Sequence, residues 1–129
     1  MANRQYIPGM CNIGPHEINR NWRYGWIGLS SSLLFILICF ILPSSPLLRT
    51  LIFFPVLIGT LGFLQVIFHF CITLGFNGFF DFGITSSERQ SVVHELRSQD
   101  RTQATLILML GILITIAATL ALYYFPFSP

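Results

Sequence analysis

The chain has 129 residues, 53% of them hydrophobic and only 9% charged, with a mean hydropathy of +0.70. A water-soluble domain keeps roughly 25% charged residues, and a short chain with its high surface-to-volume ratio needs more polar surface, not less. That excludes a soluble globular domain, and a formal net charge of +2, from seven Arg and five acids without any Lys, is too small to suggest a nucleic-acid partner.

In chain order, residues 1–23 read as a polar lead-in with turn signals at Pro8-Gly9 and Gly14-Pro15. This segment lacks the basic stretch, short apolar core and small-residue cleavage site of a secretory signal, so the first membrane helix is expected to serve as the targeting signal. Residues 24–42 then run uncharged for 19 positions. At about 1.5 Å rise per residue they reach across a hydrocarbon core of roughly 30 Å. Trp22 and Trp26 stand at the start of this span, where amphipathic rings favour the headgroup region.

A turn over residues 43–50, bracketed by Pro43 and Pro46, leads to a second span predicted over 51–75. Pro55 falls early in it, where a missing backbone N–H costs little. The connection 76–103 is expected to have two parts. In the first, the Gly- and Phe-rich run from Gly75 to Gly83 predicts an interfacial loop rather than a helix. In the second, Thr85 and Glu88 form a capping box that predicts a short cytoplasmic helix before the third span. Residues 104–125 are the third span, with Tyr123 and Tyr124 at its far interface, and residues 126–129 are a short tail. The fold class expected is an all-α membrane protein of three transmembrane helices.

Arginine sets the expected orientation. Arg4, Arg20, Arg23, Arg89, Arg97 and Arg101 fall on one side of a three-span topology, and only Arg49 falls on the other. The positive-inside rule places the N-terminus in the cytoplasm and the C-terminus outside, in what is expected to be a bacterial inner membrane.

Helices associate in lipid by close backbone approach, so small residues mark contact faces. The candidates are Gly25, Gly28 and Ser32 in the first span, Gly59 and Gly62 in the second, and Gly111, Ala117 and Ala121 in the third. They pack the spans against one another or dock a partner. Gln65 and His69, four apart, share a helical face, and intramembrane polar groups are functional candidates by default. His69 could ligate haem or a chlorin.

Cys11 and His16 precede the first span, while His69 and Cys71 lie at the inner end of the second, with His94 on the same side. Thiolate and imidazole ligands of this number suit zinc or copper. However, positions 69 and 71 converge only if the helix ends there. The three cysteines, Cys11, Cys39 and Cys71, are far apart and imply no disulfide framework. Paired intramembrane carboxylates, a phosphate-binding glycine loop and nucleophile or zinc-protease motifs are missing, so no catalytic activity is expected.

The stretch Cys11 to Leu29, with its Cys-Asn-Ile-Gly turn and acidic and basic pair before a Gly-containing span, resembles the entry of YgaP-like small membrane domains. Leu57 to Gly78 is similar to that family's second span. The chain departs from the pattern at Leu64-Gln65, where the family has Cys-Pro after Gly-Phe, and in having a third span. That family sometimes accompanies sulfur-transfer domains, so the resemblance implies that Cys11 and Cys71 bear on function.

The sequence as a whole points first to an accessory or structural subunit of a larger membrane complex, such as a respiratory or photosynthetic one, with the lipid bilayer and other membrane subunits as partners. Metal or sulfur handling at the cytoplasmic interface is the alternative, followed by pigment or haem binding.

Overall fold

A computed structural model describes residues 6–81 and 89–126. Helix α1 spans Pro15–Ile41, the short α2 spans Pro46–Arg49, and a 3-10 turn over Thr50–Ile52 leads into α3, Phe53–Phe68. A short α4, Ile72–Asn77, follows, then strands β1, Phe79–Asp81, and β2, Arg89–Ser91, and a second 3-10 turn, His94–Leu96. The last helix, α5, is Arg97–Tyr124. The segments Pro15–Ile41, Pro46–Phe68 and His94–Tyr124 are each long and apolar enough to cross a membrane. The chain is a helical protein with three such spans.

Local chemistry sets the boundaries. Pro15 starts α1 at its first position, where a missing N–H is harmless. Leu42 turns extended, with φ −106° and ψ 136°, because the following Pro43 disfavours helix at its neighbour. Pro126 does the same to Phe125 at the end of α5. Ser45 caps α2, its Oγ accepting from the Leu48 N–H at 3.3 Å. Arg49, nearly buried, donates to the Ser44 carbonyl at 3.0 Å and to the Phe125 carbonyl at 3.2 Å. One guanidinium thus ties the α1–α2 turn to the end of α5.

The span expected over 51–75 is interrupted. Helix α3 ends at Phe68, His69 adopts the left-handed conformation with φ 53°, and α4 begins three residues later. The loop expected from Gly75 onward is instead helical to Asn77, then pairs as β1 with β2 in an antiparallel ladder, Phe79 opposite Ser91 and Asp81 opposite Arg89. The capping box at Thr85 and Glu88 lies outside the described residues. Among the described residues, the 3-10 turn His94–Leu96 follows β2 and runs straight into α5.

Helix α3 is the centre of the bundle, packing α1 on one side and α5 on the other. Its contact with α1 is a glycine seam. A Cβ at Gly28 would collide with the backbone N and Cα of Gly59, and one at Gly62 would lie 2.5 Å from the Gly25 nitrogen. Backbone cannot yield as a flexible side chain can. Farther along α1, Ser32 continues the seam and satisfies its hydroxyl on the Gly28 carbonyl at 2.7 Å. In α5, Gly111 admits Leu61 of α3 against the helix backbone, and the buried Thr115 bonds back to the Gly111 carbonyl at 2.7 Å. Each buried hydroxyl is therefore satisfied within its own helix.

Six of the eight small residues expected at contacts, Gly25, Gly28, Ser32, Gly59, Gly62 and Gly111, are buried. Ala117 and Ala121 are exposed. The buried face of α5 runs through Ala104, Ile107, Gly111, Thr115 and Leu122, and on that register Ala117 turns outward. Ala121 lines the mouth of an apolar crevice of about 350 Å³ with Ile36, Phe40, Val56 and Phe125, at the end of the bundle that carries Arg49.

Gly28→Leu is expected to destabilise the purified protein by about 1–3 kcal/mol, as overpacking does in tight cores. Ala117→Leu should stay within about 0.5 kcal/mol of wild type, as an exposed substitution does. Thermal unfolding in detergent measures both. Equal effects of the two substitutions would contradict the seam.

Candidate functional site

The buried polar residues Asn12, Glu17, Asn21 and Asp100 gather at one end of the bundle, where the N-terminal segment, the start of α1, the α3–α4 break and the start of α5 meet. The break itself is stitched from two directions. Asn12, fully buried, accepts from the Cys71 N–H through Oδ1 at 2.7 Å and donates Nδ2 to the Cys71 carbonyl at 3.2 Å. Its own N–H donates to the His69 carbonyl at 3.2 Å. From the other side Gln65 accepts the Ile72 N–H at 2.9 Å and donates to the Leu61 carbonyl at 3.1 Å. Two side chains thus satisfy the backbone donors that open α4, where no cap of its own does so.

Around this stitch Ile13, Cys71 and Leu74 form a small apolar core, and Leu64, Phe70, Ala104 and Ile107 form another beneath α5. Trp22 and Trp26 pack edge-on to Phe63, with ring centroids 5.4 and 5.6 Å away.

Two acids are buried beside the stitch. Glu17 is 1% exposed and ion-paired with Arg20 one turn on, and Asn21 on the next turn is also buried. Asp100, fully buried in the first turn of α5, accepts the Tyr6 hydroxyl at 2.5 Å and the Gly9 N–H at 2.8 Å. Tyr6 also stacks on Phe80 at 4.7 Å. The N-terminal segment is therefore clasped onto α5. Burial and the Asp100 carboxylate push the Tyr6 phenol well above its usual range.

The expected ligand set does not assemble. Among the described residues no three His, Cys, Asp or Glu side chains converge on a point that could hold a metal. The helix does end at His69, the condition for positions 69 and 71 to approach. However, His69 is taken up in the left-handed cap, and Cys71 opens α4 under Asn12. Cys11 directs its Sγ at the Ile13 carbonyl, 3.9 Å away. His16 is half-buried on α1, and His94 is exposed.

Cys71 is itself 3% exposed, and burial, reinforced by the charge of Glu17, raises its thiol pKa. That disfavours the thiolate, the form that attacks sulfur and binds metal. The set Cys11, His16, His69 and Cys71 is thus corrected: the residues share one end of the bundle without converging, and only His69 and Cys71 belong to the break. Gln65, singled out as an intramembrane polar group, proves to be a backbone clamp.

Glu17 and Asp100 were not anticipated as buried groups. Each does continue a buried small-residue line backward. Glu17 and Asn21 precede Gly25, Gly28 and Ser32 at spacings of four, four, three and four, and Asp100 precedes Ala104, Ile107 and Gly111.

No protein-family model matches the chain, nor does any curated protein or solved structure. Function must be read from the chain's own geometry.

Asn12→Ala leaves the Cys71 N–H and carbonyl without their partners, at a cost of roughly 1–3 kcal/mol for each buried group. Opening of the break should rise about tenfold or more. The labelling rate of Cys71 by a membrane-permeant maleimide, in a chain whose other cysteines are serine, reads this directly; an unchanged rate would remove Asn12 from its role.

Since the Tyr6 pKa is raised by folding, the clasp contributes its full stability below the unfolded value of about 10 and loses it as pH rises beyond that point. Tyr6→Phe should lower stability at neutral pH by roughly 1.5–3 kcal/mol and flatten the alkaline limb relative to wild type. Parallel pH profiles for the two proteins would refute the clasp.

Proposed function

We propose that this chain is an accessory or structural subunit of a larger membrane complex. The observation that carries this reading is how little of each span the chain covers itself. In the most apolar window of each span only 22%, 22% and 28% of residues are buried. The faces turned outward hold large side chains such as Leu33, Leu37, Leu113 and Ile114. The seam glycines are consumed internally between α1 and α3, and Asn12 and Gln65 in clamps on backbone groups. An anchored, rigid, three-helix body with a broad apolar exterior suits a place between larger subunits.

The proposal includes an orientation. The N-terminal segment and the start of α5 lie at one end, joined by the Tyr6–Asp100 clasp, and among the described residues Arg20, Arg23, Arg89, Arg97 and Arg101 belong to elements at that end. Arg49 stands at the other, engaged with Ser44 and Phe125. The positive-inside rule puts the Arg-rich end in the cytoplasm, and we place the protein in a bacterial inner membrane on this basis.

Extraction in mild detergent followed by native size separation should return the protein in a complex with other membrane proteins. A lone monomer with no co-purifying protein would count decisively against a subunit role. Reporter fusions to the C-terminus that are active only outside the cytoplasm should be active; an active cytoplasmic-only reporter there would reverse the orientation.

A further inference from the structure

Three buried polar atoms at the start of α1 have no partner within the protein: Glu17 Oε1, Arg20 Nε and Asn21 Nδ2. They belong to one patch. Arg20 reaches back to the other oxygen of Glu17, and Asn21 lies four residues after Glu17 on the same helix face. Glu17 and Asn21 are 1% and 3% exposed, and although the Arg20 side chain as a whole is 40% exposed, its Nε atom is itself buried, so the three atoms face inward, away from solvent.

The chemistry of the three atoms selects their ligand. Glu17 Oε1 accepts, while Arg20 Nε and Asn21 Nδ2 donate, so the ligand must donate once and accept twice. A metal cation cannot accept from two N–H groups, and the Arg20 guanidinium would repel it. An anion would meet the Glu17 carboxylate. The Glu17–Arg20 pair is already neutral as a unit, which favours a neutral occupant. Buried water commonly makes about three hydrogen bonds to polar groups left unsatisfied by the protein, and this patch presents three. Its place in the fold gives it consequence: the Asn21 backbone borders the glycine seam, since a Cβ at Gly62 would lie 2.8 Å from the Asn21 backbone carbonyl, and Glu17 acts electrostatically on Cys71.

We infer that Glu17, Arg20 and Asn21 form a binding site for a single enclosed water molecule, which links the α1 ion pair to the amide of Asn21 at the mouth of the α1–α3 seam. The water replaces a direct Glu17–Asn21 bond and lets a carboxylate stand beside the apolar core around Cys71 without an orphan oxygen.

Nuclear magnetic resonance of the full-length, nitrogen-labelled protein in lipid nanodiscs tests the site. Magnetisation should pass from water to the Asn21 side-chain amide and to the Arg20 Nε proton. Exchange of that Arg20 proton with bulk solvent should be at least tenfold slower than at the exposed Arg23 and Arg101. In Asn21→Leu the apolar side chain takes the water's place, and the Arg20 cross-peak should vanish while backbone signals of α3 persist. Two outcomes would overturn the inference. One is an Asn21 amide that shows no transfer from water and couples directly to the Glu17 carboxylate. The other is an Arg20 proton that exchanges as fast as those of Arg23 and Arg101, which would mean open solvent rather than an enclosed molecule.

Discussion

Everything in this fold depends on how closely α1 and α3 approach. In lipid no hydrophobic force draws two apolar helices together, so association rests on contact between surfaces that fit. Here the fit is backbone on backbone, Gly28 against Gly59 and Gly62 against Gly25, and at Gly28 and Gly62 no side chain other than hydrogen is compatible with it. Once that distance is set, Phe63 is brought beside Gly25 and between Trp22 and Trp26. The far side of α3 is then free to meet α5 through Leu61 and Gly111.

The polar end of the molecule follows from the same constraint. With α1 pressed onto α3, the segment preceding α1 runs directly over the end of α3, and Asn12 can reach the His69–Cys71 backbone. A left-handed His69 is an uncommon conformation for a residue other than glycine. It is tolerated because four hydrogen bonds from Asn12 and Gln65 satisfy the backbone groups that the break exposes. The Tyr6–Asp100 clasp closes the third side, so that α1, α3 and α5 are joined at one end by polar bonds and along their length by small residues.

Much of this was legible in the sequence, and the limits have physical causes. The three spans follow from uncharged runs long enough to cross a bilayer, a signal that needs no tertiary information. The seam glycines were also legible, because Gly25, Gly28, Gly59 and Gly62 fall at helical spacings within those runs. Ala117 and Ala121 do not pack the spans together: alanine suits both a contact face and an outward surface, and only the register set by Gly111 and Thr115 separates the two. The break at His69 was hidden, since neither Gly nor Pro marks it and Asn12, which holds it, is 59 residues from Cys71. The capacity of Cys11, His16, His69 and Cys71 to ligate metal was visible as residue type, but type alone does not say that one backbone carbonyl and one helix cap already engage two of them. Glu17 and Asp100 look like interfacial charges until the buried line on each helix is extended past the apolar run.

The central claim, backbone contact between the first two spans, is open to direct measurement. With the glycine α-carbons isotopically labelled and the protein in lipid bilayers, solid-state magnetic resonance should show a cross-peak between Gly28 and Gly59, whose α-carbons can be this close only if the helices touch backbone to backbone. The absence of that cross-peak, in a sample whose α1 and α3 signals are intact and helical, would contradict the account.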